Sequence, residues 1–244
     1  MKLRFLWTKG DLLTAVSLCK ITDIFPKDRQ SVLSQKGWKQ TRALVDGSIQ
    51  FGYVAHQEGI EGAVVIAFKD SPELMTWESG DKIAPVSGCA SMVHSNLWAT
   101  YRKISPLIHE ACPIKFGKSL IVTGHGIAGS LAALCALDLA FSGWGQRLRV
   151  VAFGAPPVGC RDFKNRFSNE CPRSLRVQLV GDSNPWQIGS PYCPVGPQIT
   201  LKHSGGEAGL FCRAMAGLRF LRKESISDYC LAVSLTNDSW EKLI

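Results

Sequence analysis

The stretch Ser119-Leu-Ile-Val-Thr-Gly-His-Gly-Ile-Ala-Gly-Ser130 decides how the rest of the chain is read. Leu120, Ile121 and Val122 form a short apolar, largely β-branched run, the composition of a buried parallel strand. The run ends in Gly124-His125-Gly126-Ile127-Ala128-Gly129, and the apolar residues beyond it predict a helix from about Ser130 to Phe141. A strand that turns through small residues straight into a helix holds its central residue, here Gly126, at a sharp corner. Gly124 on one side, and Ala128 with Gly129 on the other, are small enough for the strand and helix to pack closely.

Working outward, apolar strand-like runs fall at Gln50 to Ala55, Ala63 to Phe68, Leu148 to Phe153 and Leu175 to Val180. From the second of these onward they alternate with helix-like stretches, which predicts an α/β fold with a mostly parallel sheet covered by helices. Asp11 to Phe25 has apolar residues at helical spacing and is expected to pack on that sheet. The 244 residues carry no repeat, low-complexity run or Gly/Ser linker, so residues 1–244 read as a single domain with enough apolar sequence for a sizeable core.

The corner resembles the nucleophile elbow of serine hydrolases. More specifically, the chain is similar to the class 3, or fungal-type, lipases, whose elbow commonly reads Gly-His-Ser-Leu-Gly-Gly. Four further blocks carry the likeness in family order. Val64-Val-Ile-Ala-Phe68-Lys69-Asp70-Ser71 resembles the strand end beside the oxyanion hole, and Val93-His94-Ser-Asn-Leu-Trp-Ala-Thr-Tyr101 the entry to the helix before the elbow. Val150-Val-Ala-Phe153-Gly154-Ala-Pro156-Pro-Val158-Gly159 resembles the Phe-Gly-x-Pro-x-Val-Gly block, and Arg176-Val-Gln-Leu-Val-Gly-Asp182-Ser-Asn-Pro185 the strand and turn that bear the triad acid. The resemblance covers roughly residues 10 to 240 and implies an α/β-hydrolase fold.

Carried over position by position, the same resemblance implies a damaged catalytic site. Gly126 stands where the nucleophilic serine belongs and has no nucleophilic atom. Asp182 is retained as the triad acid, whose role is to orient the histidine. The histidine position aligns with Tyr229, a phenol with an ordinary pKa of about 10 and so a poor proton acceptor near neutrality. The oxyanion hole would use the backbone N–H of Ile127 and groups of Ser71, but Asp70 replaces a glycine beside it and opposes a developing negative charge. His125, with Gly124 and Gly129, supports the turn.

Ser130 and His203 are the formal substitutes for the missing nucleophile and base. Ser130 lies one helical turn beyond Gly126 and is expected to pack against the sheet. His203 is the formal alternative base, but matches a family histidine outside the triad. His56, His94 and His109 read as packed or surface residues. No Cys or His pair has the spacing of a metal site, and no cofactor is implied.

Nine cysteines without CxxC pairs, and a first segment too short for a secretory signal, point to a cytoplasmic protein with reduced thiols. No apolar run approaches the roughly 20 residues of a membrane span. The net charge of +8 comes partly from Arg213 to Lys223, a basic amphipathic stretch that reads as a solvated face and leaves peripheral membrane contact open. No nucleic-acid-binding motif accompanies the charge. Residues 70–90 fall where the resemblance implies a lid. The expected function is a catalytically inactive lipase-like scaffold that binds a lipid or acyl ester, another small molecule, or a protein partner. The alternative is a lipid or carboxylic-ester hydrolase.

Overall fold

The computed structural model describes residues 7–57, 59, 62–71, 74, 83–85, 91–113, 119–182, 190–202 and 224–236. Its centre is a seven-stranded sheet ordered β1-β2-β3-β6-β7-β8-β9. The strands are β1 (Trp38–Asp46), β2 (Ile49–Gln57), β3 (Val64–Phe68), β6 (Leu120–His125), β7 (Leu148–Phe153), β8 (Ser174–Leu179) and β9 (Gln198–Leu201). β3, β6, β7, β8 and β9 pair in parallel, whereas β1 and β2 form an antiparallel edge. A two-stranded ribbon, β4 (Ile83–Pro85) with β5 (Met92–His94), stands apart.

The helices are α1 (Lys9–Lys20), α2 (Pro26–Ser34), α3 (Ser95–Ala111), α4 (Ile127–Leu139), α5 (Arg161–Glu170) and α6 (Ile226–Leu235). Alternation along the strands assigns them to faces. Val64, Ile66, Phe68, Leu120, Val122 and Val150 meet α3, α4 and α5, while Val151, Phe153, Val177 and Leu179 meet α1 and α6. On the β2–β3 side, Tyr53, Ala55, Val65 and Ala67 pack on Leu18, Ile21 and Leu33.

The N-terminal helix begins with a reciprocal capping box: Asp11 N–H donates to Thr8 Oγ1, and Thr8 N–H to Asp11 Oδ2. It does not reach Phe25 as the apolar spacing predicts. Pro26 pushes Phe25 into extended backbone, so α1 ends at Lys20, a 3-10 turn covers Ile21–Asp23, and α2 starts on the proline. Fully buried Arg29 on α2 holds this corner by donating to the carbonyls of Ile21, Thr22 and Ile24. On the α1 face of the sheet, Asp11 pairs with Arg149 at 2.7 Å, and the Arg149 guanidinium lies 4.7 Å from the Trp7 ring centroid.

Helix α4 is apolar on every side and is buried between the sheet, α3 and α5. It starts at Ile127, three residues earlier than the sequence suggests, because the turn is completed within Gly126. Its one acid, Asp138, takes Tyr101 Oη at 2.5 Å and His109 Nε2 at 2.8 Å, tying α3 to α4. One expectation needs amending. Ile127–Arg147 contains an 18-residue window with a mean hydropathy of 1.5, long and apolar enough to cross a membrane, yet 78% of that window is buried in the protein. It is the central helix of an α/β core.

Candidate active site

The corner between β6 and α4 is built from local backbone geometry. Gly126 has φ +58° and ψ −132°, a conformation that side chains make costly and glycine tolerates. Its N–H donates to Phe153 O at 2.9 Å, fastening the corner to the end of β7, and its carbonyl accepts from Gly129 N–H at 3.0 Å. A Cβ on Gly124 would stand 2.4 Å from Ala128 O, and one on Gly129 would stand 2.6 Å from Ala155 Cβ. These two glycines are therefore the close-approach positions, while Ala128 is carried on the helix between them.

Asp182 follows β8 through Val180 and Gly181 and is 1% exposed. Tyr229, in the first turns of α6, is 0% exposed. The two meet although 47 residues separate them: Tyr229 Oη donates to Asp182 Oδ2 at 2.5 Å. The same hydroxyl accepts from Leu179 N–H at 3.3 Å, so its donor and acceptor capacities are both used. Burial, then the Asp182 charge and hydrogen bond, push the Tyr229 phenol far above its usual range. It holds its proton at any ordinary pH and cannot accept another group's proton.

The elbow is part of the same cluster. The His125 ring meets Tyr229 edge-on at 5.4 Å, and Phe153 packs on its other side at 5.8 Å. Buried Glu224, just before α6, adds a second carboxylate near the phenol. Gly154, at φ +55°, closes the cradle: a Cβ there would lie 2.5 Å from Asp182 Oδ2 and 2.7 Å from Tyr229 Oη. Nothing in the sequence around Glu224 points to the site, and only the Phe153-Gly154 block points to Gly154.

The structure thus brings Gly126, His125, Asp182 and Tyr229 to one end of the sheet. Ser71 and Ile127 lie at the same end, both buried. Ser130 is packed inward and donates to Pro156 O at 2.7 Å, as its helical position suggested. Of the remaining histidines, His56 contacts Ala111 O at 3.2 Å, His94 caps α3, and His109 binds Asp138. His203, the basic stretch 213–223 and most of 70–90 lie outside the described residues. Among the described residues no group of three His, Cys, Asp or Glu side chains could hold a metal ion, and the seven described cysteines are free thiols.

Comparison with known proteins identifies the family and the fold. The chain is 28% identical over 168 residues to the lipase ZK262.3 of Caenorhabditis elegans, covering 66% of this chain and 46% of that protein. The chain spans less than half the length of the curated relatives it matches. Among solved structures, the mono- and diacylglycerol lipase of Aspergillus oryzae superposes with a TM-score of 0.67 at 18% identity, covering 79% of each chain. A triacylglycerol lipase described as having a serine-protease triad as its catalytic centre superposes with a TM-score of 0.66 at 16% identity, covering 90% of this chain and 91% of its own. These likenesses show a shared α/β-hydrolase fold. The profile of the lipase (class 3) family matches residues 65–186, the segment from β3 through the elbow and past Asp182, and the chain belongs to that family.

Proposed function

We propose that this chain is a class 3 lipase-like protein that binds without hydrolysing, using the α/β scaffold to hold a lipid, another small molecule or a protein partner. The observation that carries this reading is the Tyr229–Asp182 contact. In a working triad the aspartate orients an imidazole that takes the nucleophile's proton. Here Asp182 is the acceptor of a phenol that keeps its own proton, and Gly126 offers no proton to transfer. Ser71 and Ile127 keep the positions of an oxyanion hole, and Gly124, His125 and Gly129 those of the elbow, so the shape outlasts the chemistry. The free thiols of the described residues fit a reducing compartment, consistent with a cytoplasmic protein.

Hydrolysis of p-nitrophenyl butyrate and palmitate tests the reading. The unmodified protein and Gly126→Ser should both lack turnover, while Gly126→Ser/Tyr229→His should gain it. Turnover by the unmodified protein that persists through repurification and disappears in Asp182→Ala would overturn the proposal. The second reading, a lipid or carboxylic-ester hydrolase, draws on the worm relative's being named a lipase. Activity in Gly126→Ser alone would favour it, because only the nucleophile would then be missing.

A further inference from the structure

A cavity lies beneath the first turns of α4, on the α5 side of the sheet. Leu175 and Val177 turn toward α1 and α6, so the alternate residues Ser174 and Arg176 turn toward α4 and α5. Small side chains face one another there: Gly129 and Ala133 on α4, Ala152 on β7 and Ala155 beyond it. With Phe167 and Val195 they wall an empty volume of about 350 Å3, part of it open solvent, and Ser174 and Arg176 complete the wall. The loop after Pro191 covers it. Cys193 N–H donates to Gly159 O at 2.7 Å, and Gly196, at φ +73°, runs so close to β8 that a Cβ would stand 2.8 Å from Ser174 Oγ. None of Gly126, His125, Asp182 and Tyr229 lines this cavity.

Arg176 is the one charged residue in the wall. Its side chain makes one hydrogen bond among the described residues, from Nη2 to Gln198 Oε1, and its Nε is sealed from solvent without an acceptor. No carboxylate among the described residues compensates it; burial alone lowers its pKa. The group stays charged all the same, because arginine titrates so far above neutrality. A partly buried cation without a counter-ion is costly, and an anion beside it offsets that cost. The rest of the wall is almost wholly apolar, and Ser130 Oγ is already committed to Pro156 O. A phosphate or sulfate would find too few donors. A carboxylate needs only the planar guanidinium, and a short apolar tail fits against the alanines.

We infer that this cavity is a ligand site separate from the elbow, taking a short-chain carboxylate with its acid group on Arg176 and its tail between α4 and β7. The inference does not depend on the binding reading above.

Amide 15N–1H spectra of the unmodified protein, titrated with sodium butyrate at constant ionic strength and about pH 7, test it. Shifts should gather at Ala133, Ala152, Phe167 and Val195 and saturate with a Kd of about 1 mM. Butyramide, which keeps the shape and lacks the charge, should bind at least about tenfold more weakly. Acetate, two methylenes shorter, should also lose about tenfold. Both comparisons use the unmodified protein and so are independent of any variant's folding. Arg176→Gln should abolish the preference for butyrate over butyramide, and Ala133→Leu, which fills the cavity, should remove both. Chloride shifting the same four residues equally, butyrate binding no tighter than acetate or butyramide, or butyrate affinity unchanged in Arg176→Gln would each overturn the inference. So would the absence of shifts at these residues up to about 50 mM butyrate.

Discussion

Tyr229 Oη lies 2.5 Å from Asp182 Oδ2, and both side chains are buried. A hydroxyl that donates to a buried carboxylate while accepting from the backbone of β8 bolts α6 to the sheet.

Removing that hydroxyl takes a hydrogen bond away from a buried carboxylate. Tyr229→Phe keeps the ring and its packing on Phe153 and His125, but deprives Asp182 and Leu179 N–H of a partner. A loss of about 2–3 kcal/mol is expected, since a buried group left without its hydrogen bond loses its solvation uncompensated. Urea unfolding should show a lower midpoint with an unchanged slope; an unchanged midpoint would mean the contact holds nothing together.

Stability should fall on the alkaline side. Burial raises the phenols of Tyr53, Tyr101 and Tyr229, and pushes Cys112 up to about 12 and Cys19 well above its usual range. Each folded-state pKa lies above its unfolded value, so their contribution is complete below about pH 8 and drains away as the unfolded chain's thiols and then its phenols ionise. Unfolding free energy measured from pH 7 to 11 should be flat at first and then fall with increasing slope. A rise across that interval would contradict the sign.

Gly154→Ala should be more damaging than a typical glycine substitution. The added methyl would enter the space of both Asp182 Oδ2 and Tyr229 Oη, and φ +55° adds backbone strain. A loss of about 3 kcal/mol or more is expected from denaturation of the variant. The same change in Tyr229→Phe, where the phenolic oxygen is gone, should cost less; strict additivity would show that the two sites are independent.

Among the described thiols, Cys160 should alkylate first. Partial burial raises it, but N–H groups of Phe163 and Asp162 at the start of α5, and of Met92 on β5, outweigh this and lower the thiol. Cys19, Cys112, Cys135 and Cys171 are buried and raised. Brief iodoacetamide treatment at pH 7.5 followed by peptide mass mapping should find Cys160 labelled ahead of these four.

The elbow was legible because its signals are local: an apolar β-branched run, a glycine turn and an apolar helix occupy consecutive positions from Leu120 to Leu139. Parallel strands β3, β6, β7 and β8 were legible for the same reason, being short apolar runs buried on both faces. β1 was not, because Lys39, Gln40, Thr41 and Arg42 give it the polar character of an edge strand, and β9 is only four residues long. The Tyr229–Asp182 pairing came from resemblance alone, since nothing local to either residue points to the other. The Asp138–His109 tie and the Gly154 cradle depend on contacts that arise only once distant segments pack.

The all-apolar character of α4 has a consequence for the nascent chain. Folded, Ile127–Arg147 is sheltered by the sheet and by α3 and α5; newly synthesised, it carries an 18-residue window of membrane-grade hydropathy with none of that cover. Its shelter includes strands made both before and after it, so the helix is exposed until β7 and α5 have emerged. The centre of the native core is thus also the segment on which chaperones, lipid bilayers and other unfolded copies would first take hold.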